Sequence, residues 1–258
     1  MTIQIPGRPA SGGGGSASPV SSGLLPLSAM RYPRAKAVSV GAGNVTVHTA
    51  GAGRRAYINA FGVYNTTGGS ITFYPNWVIG GTHYKLSNTL TVGTGAANQV
   101  ATAVVIILEP GESFSVYASA AGLNIRARVI EYSSSVRLYA PKKYGSWASG
   151  DNTIYSVPTG YDAAILDGVG MLAQNVTSLN YFNGSGGSVT NKWNIVDSGG
   201  SPASSNQVSP SAALATDSRS SQVVSTTMEE GDFLNLNVNS TTDPQLGWAI
   251  VAETPNNV

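Results

Sequence analysis

The sequence predicts an all-β protein built as two tandem jelly-roll-like β-sandwiches preceded by an extended glycine-rich arm. Three observations carry this. Only 10% of residues are charged while glycine alone supplies 31 of 258, so the Lys/Glu/Ala surface of a helical protein is missing. Aromatic and β-branched residues come in short alternating runs between Gly, Ser, Asn and Pro clusters, as in sandwiches and barrels. A strand–turn–strand device also occurs twice, about 120 residues apart.

The first copy of that device runs from Val104 to Tyr132. An apolar run to Leu108 meets the turn tetrad Glu109-Pro110-Gly111-Glu112, where Pro fixes φ and Gly tolerates φ > 0. Phe114, Val116 and Ala118 then alternate with Ser113, Ser115, Tyr117 and Ser119, a strand with one buried and one wet face. In the second copy, Met228-Glu229-Glu230-Gly231-Asp232 precedes a run in which Leu234, Leu236 and Val238 take the places of Phe114, Val116 and Ala118. Residues 46–58 also lie over 153–165 without gaps, at an offset of 107, with Thr46, Gly53, Ala56 and Ile58 meeting Thr153, Gly160, Ala163 and Ile165. The offsets differ by 13, and the Gly/Ser/Asn-rich segment from Asn183 to Ser221 is the expected place for the extra residues.

In chain order, residues 1–35 have the composition of an unstructured arm, GRPASGGGGSASPVSSG followed by an apolar patch at Leu24, Leu25 and Leu27. Ordering such an arm costs about 1–2 kcal/mol of backbone entropy per residue, so it needs another surface to lie on. Residues 36–132 form the first sandwich, with strands expected at 37–40, 44–49, 56–64, 70–75, 84–91, 99–108, 113–119 and 124–132. Residues 133–150 read as a connector whose Tyr139, Tyr144 and Trp147 should pack between the domains or on a neighbour. Residues 151–253 repeat the order, and 254–258 form a tail without strand pattern.

Net charge is +1, but residues 1–108 carry +7 and residues 109–258 carry −6. Such a division suggests a basic docking end and an acidic far end. The basic residues are scattered, with no cluster longer than Arg54-Arg55, so an acidic protein surface is a better partner than nucleic acid. The expected interface comprises Arg8, Leu24, Leu25, Leu27, Arg31, Tyr32, Arg34, Lys36, Arg54 and Arg55. No run of 18 apolar residues and no secretory leader occurs, so no membrane partner is expected.

Catalytic chemistry is poorly supplied. There is no cysteine, and the two histidines, His48 and His83, lack the spacing of a zinc site. Gly51-Ala-Gly-Arg-Arg-Ala lies between strands without the helix a dinucleotide site requires, and no GxSxG elbow or GK[ST] loop occurs. Glu109/Glu112 and Glu229/Glu230/Asp232 occupy equivalent turns, where acidic residues are good turn formers. No cofactor, metal or catalytic group is therefore expected. Sugar binding by an exposed tryptophan is the open alternative, with Trp77, Trp147, Trp193 and Trp248 available.

Phrases such as AYINAFGVYNTTGGSITFY (56–74) and ILEPGESFSVYASAAGLNIRARVIEY (107–132), with the glycine-rich arm and tandem sandwich, resemble structural proteins of tailed-bacteriophage particles. The resemblance covers roughly residues 45–132 and, faintly, 153–253. It implies a virion protein without enzymatic activity, made in the host cytoplasm. Within that class the expectation is a capsid decoration (cement) protein that binds the major capsid protein lattice as a homo-oligomer, a trimer above all. The alternatives are a tail, collar or fibre component whose second domain meets a host glycan, and a carbohydrate-binding module.

Overall fold

The computed structural model describes residues 30–100 (backbone alone for 97–100), 105–145, 147–165, 179–222, 224, 226–239 and 245–256. The first lobe consists of ten strands: β1 (Ala35–Val38), β2 (Gly43–Thr49), β3 (Arg54–Asn65), β4 (Ile71–Ile79), β5 (Thr82–Lys85), β6 (Leu90–Val92), β7 (Ala97–Val100), β8 (Ile106–Leu108), β9 (Ser113–Ala118) and β10 (Leu123–Ser133). They form two antiparallel sheets. One has the order β1-β10-β3-β7 with β8 also on β3, the other β2-β9-β4-β5 with β6 also on β4. Counting β5/β6 and β7/β8 each as one interrupted strand gives the eight-stranded double Greek key of a jelly roll. Period-2 alternation supplies the filling: Phe61 of one sheet meets Phe73 and Phe114 of the other edge-on, at 6.4 and 5.4 Å between ring centroids.

Two expected strands are each broken. The span 84–91 divides into β5 and β6, because Leu86 turns inward to complete burial between them. The span 99–108 divides into β7 and β8, which pair with different stretches of β3, and residues 101–104 lie outside those described.

The second lobe comprises β11 (Leu138–Tyr139), β12 (Lys142–Gly145), β13 (Gly150–Ser156), β14 (Tyr161–Ile165), β15 (Leu179–Asn183), β16 (Val189–Val196), β17 (Ala212–Leu214), β18 (Ser218–Gln222), β19 (Thr226–Met228), β20 (Phe233–Val238), β21 (Gln245–Ala249) and β22 (Val251–Pro255). Its sheets are β13-β20-β16-β17, β11-β22-β14-β19 and β12-β21-β15-β18. Strand register shows that the lobes are copies. Ala56 pairs with Leu108, and their counterparts Ala163 and Met228 pair likewise. Thr46 faces Ser115 and His48 faces Phe114 across a bulge; Thr153 faces Asn235 and Tyr155 faces Leu234 across the same bulge. The β11-β22-β14-β19 and β12-β21-β15-β18 sheets together take the place of the single β1-β10-β3 sheet of the first lobe, with β14 and β15 standing for the two halves of β3.

The register corrects two expectations. Phe61 pairs with Val100 as Leu179 pairs with Gln222, an offset of 118 for the first residue of each pair. Eleven of the thirteen extra residues therefore enter before Leu179, between β14 and β15, and not after Asn183. A missed signal shows this: YNTTGGSIT (64–72) over FNGSGGSVT (182–190), with five of nine residues identical. In both copies the Asn is a buried turn hub. Asn65 donates to Gly69 O and accepts from Thr67 N; Asn183 donates to Gly187 O and accepts from Ser185 N. Second, part of the segment read as connector is strand. Lys142 pairs with Trp248 as Lys36 pairs with Arg126, so β12 is the second copy of β1.

The lobes share apolar packing. Leu138, Ala140, Ala164, Leu246, Trp248 and Ile250 of the second lobe belong to the core cluster of the first. Trp248 stands edge-on to Trp77 at 6.2 Å and donates from Nε1 to Val105 O at 2.8 Å. The connector aromatics all pack: Tyr144 on Tyr84, Tyr139 on Tyr155, and Trp147 on Tyr181. Trp147 also fills the space above Gly247, where a Cβ would come within 2.6 Å of its ring.

Candidate docking face

The basic residues nearest the arm converge on the outer side of the β1-β10-β3 sheet. On β10, Leu123 and Ile125 point inward and are buried, so Asn124, Arg126 and Arg128 point out. Lys36 lies directly opposite Arg126, and Val38 directly opposite Asn124, whose other neighbour is Tyr64. Like charges in direct cross-strand register repel, which makes Lys36 beside Arg126 a poor choice for stability alone and a good one for an anionic partner. A groove of about 620 Å³ follows this face, lined by Lys36, Val38, Tyr64, Asn124 and Arg126 among others. Tyr32, Val38 and Tyr64 are 56%, 54% and 45% exposed, three of the five large apolar side chains left in solvent among the described residues.

Of the expected interface residues, Arg8, Leu24, Leu25 and Leu27 lie outside the described residues. Lys36 is on the face, and exposed Arg34 immediately precedes β1. Arg31 is joined through its backbone to Glu131, and Arg54 begins β3 opposite Ser133, so both sit at one end of the sheet. Arg55 drops out. Its Nε donates to both oxygens of Glu109, at 2.9 and 2.8 Å, and its Nη1 donates to Ser134 O and Val136 O, so the guanidinium is used inside the molecule.

Arg126 and Arg128 were missed because they follow residue 108 and were counted with the acidic part. Their alternation in NIRARV is the signal that places both on one outer face. Counted by lobe the division persists: nine basic against three acidic residues in 1–133, five against ten in 134–258.

The acidic turns hold the fold. Gly111 and Gly231 take φ of 88° and 83°, and Glu112 N and Asp232 N close the turns onto Glu109 O and Glu229 O at 3.0 Å each. The carboxylates cap the same turns, Glu112 accepting from Glu109 N and Asp232 from Glu229 N. Glu112 further accepts from Trp77 Nε1 at 2.7 Å and meets Lys142 Nζ at 2.8 Å. All four tryptophans are buried, at 0–3% exposure, so none offers a ring for stacking a sugar. Among the described residues, no three His, Asp or Glu side chains group as metal ligands would, and no helix is long and apolar enough to cross a membrane.

Below the Arg31 end of the face, His48 Nε2 lies 3.1 Å from Glu131 Oε1. Burial outweighs the Glu131 charge and holds the imidazole below its ordinary pKa of 6.5. The unfolded chain therefore takes up that proton first, so stability is full above pH 6.5 and falls as pH drops below it. His48→Asn should flatten this part of the melting-temperature profile. An unchanged acid slope would show that other groups set it.

No protein-family model matches the sequence, and no curated protein is significantly similar to it. Among solved structures the chain is similar to the PBSX exported protein XepA, at 8% identity over 87% of this chain and 86% of that one, with a TM-score of 0.23. It is also similar to the tandem CBM22-1-CBM22-2 domain of Paenibacillus barcinonensis Xyn10C, at 10% identity over 90% and 94%, with a TM-score of 0.21. At these TM-scores neither likeness bears on what the chain does.

Proposed function

We propose that this chain is a non-catalytic structural component of a tailed-bacteriophage particle, a decoration protein that seats its basic first lobe on an acidic protein lattice. The observation that carries the reading is the outer face of the β1-β10-β3 sheet. Lys36 and Arg126 stand there in direct register beside exposed Tyr64 and Val38, on a sandwich made rigid by a shared core. Exposed apolar side chains rimmed by one sign of charge are what a docking surface requires and what a free monomer avoids. The phrases resembling virion proteins support the particle setting, and the buried tryptophans favour protein docking over sugar binding.

The test is the copy number of this chain per purified particle, by quantitative mass spectrometry against the major capsid protein. Hundreds of copies are expected. A handful would move the chain to the tail or neck, and none would overturn the reading. Residues 30–35 belong to the sandwich, since Arg31 bridges Glu131 and Ala35 opens β1 in the core, so the arm is tested by removing residues 1–29, which should leave a folded chain with reduced occupancy.

A further inference from the structure

The two lobes dock on one another through unlike surfaces, and each lobe carries a copy of the sheet face and of the acidic turn that meet there. The second lobe uses the outer face of its β12-β21-β15 sheet: Lys142, Trp248, Leu246 and Phe182. The first lobe offers its β5 edge and the turn at Glu112. There Lys142 Nζ meets Glu112 at 2.8 Å and stands 4.5 Å over the Trp77 ring, and Tyr144 packs on Tyr84. Register gives the counterparts without ambiguity. Lys142, Tyr144, Leu246, Trp248 and Phe182 correspond to Lys36, Val38, Asn124, Arg126 and Tyr64, which form the exposed basic face. Glu112 corresponds to Asp232, and Trp77 to Ile195.

One copy of the sheet face and one of the acidic turn are therefore used inside the chain and one of each is left over, with the isolated Asn194–Gln207 bridge standing in the second lobe where the first has β5. The leftover pair is complementary. The first lobe presents Arg34, Lys36 and Arg126, with Tyr64 and Val38 exposed; the far end of the second lobe presents Glu229, Glu230 and Asp232 in its turn, with Asp197 exposed in the neighbouring one. Ser198 N donates to Asp232 Oδ1, which ties those two turns together. An interface between unlike patches does not satisfy itself in a pair; it continues from copy to copy until it closes as a ring or runs on as a filament.

We infer that the basic face of one copy docks on the acidic end of the second lobe of another, repeating between chains the contact that joins the lobes within one, with Lys36 facing Asp232. The inference rests on the reading of this face as a docking surface and names a second copy as the occupant. Its contact is more polar and more charged than the internal one, because Arg126 stands where Trp248 does and Asn124 where Leu246 does. It should weaken as salt rises.

The experiment is sedimentation velocity of the full chain over a concentration series, with two variants. Lys36→Gln/Arg126→Gln removes the charge of the basic face; Asp197→Asn/Glu230→Gln removes charge at the acidic end, the glutamine keeping an acceptor oxygen for Gly160 N. The wild type should associate, and each variant alone should associate about tenfold or more weakly. An equimolar mixture should recover dimers and nothing larger, since each variant lends the other its intact surface and the chain of contacts stops there. Both variants should keep the wild-type melting temperature, which separates loss of contact from loss of fold. A monomeric wild type, or a mixture that recovers nothing, would overturn the inference. So would association that survives in both variants but fails without residues 1–29, which would give the contact to the arm. A monomer that still decorates particles sinks this inference and leaves the proposed function standing; an associating chain absent from particles does the reverse.

Discussion

Trp248→Ala is expected to lower stability by about 3–5 kcal/mol and to split one unfolding transition into two. The indole is fully buried, yet it does not lie in the second lobe's own interior; it is part of the first lobe's core cluster, edge-on to Trp77. Truncation opens a cavity between lobes and leaves Val105 O without its donor, a loss of about 1–3 kcal/mol where the carbonyl stays dry. Lys142 would also lose its packing, because it pairs with Trp248 across β12 and β21 while reaching over the Trp77 ring. Trp193→Ala is the control. Trp193 is equally buried but belongs to the second lobe's own cluster, so its loss should destabilise that lobe without weakening the contact between the two. Denaturant unfolding followed by far-ultraviolet circular dichroism and tryptophan fluorescence reads both effects. A loss below about 1 kcal/mol for Trp248→Ala would show that the lobes do not depend on this contact.

How much of this was legible in the sequence depends on whether the signal was local. The turn at Glu109–Glu112 could be read because Pro and Gly fix its geometry within four residues, and the alternation from Ser113 could be read because side-chain period sets which face is wet. The duplication is legible in two landmarks, and the place of its extra residues in a third, YNTTGGSIT (64–72) over FNGSGGSVT (182–190). The interface was only half legible. Lys36 and Arg126 are 90 residues apart and become neighbours through an antiparallel pairing that no local pattern announces. Arg55 shows the converse: its basic neighbour and exposed-looking context suggested docking, while the structure spends its donors on Glu109 and two carbonyls. β12 was hidden because KKYG has little β-propensity; it is a strand through pairing with β21 and the packing of Tyr144 on Tyr84.

Glu253→Ala should cost about 2–5 kcal/mol, more than the loss of any of its partners, because two tyrosine hydroxyls lose their acceptor at once. Its side chain is wholly buried, and three donors converge on it: Tyr155 Oη at 2.7 Å and Tyr139 Oη on one oxygen, Arg137 Nη1 at 2.5 Å on the other. The first lobe has a carboxylate at the same register position, Glu131 opposite Ala56 as Glu253 is opposite Ala163, and there His48 takes the place of Tyr155. Removing the carboxylate leaves the buried Tyr155 hydroxyl with no acceptor and strips Arg137 of its ion pair. Burial raises the Tyr155 hydroxyl far above its ordinary pKa, so it cannot adapt by ionising. The partners differ in how much they matter. Arg137 is 45% exposed and also lies over the Tyr161 ring at 3.7 Å, so solvent screens the ion pair and Arg137→Ala should cost about 1 kcal/mol or less. Tyr155→Phe removes one donor from a buried anion and should cost about 1–3 kcal/mol. That ranking, Glu253 above Tyr155 above Arg137, can be read by urea denaturation of the three variants. If Arg137→Ala proved the most damaging, the ion pair and not the tyrosine hydroxyls would be what holds β22 to β11 and β13.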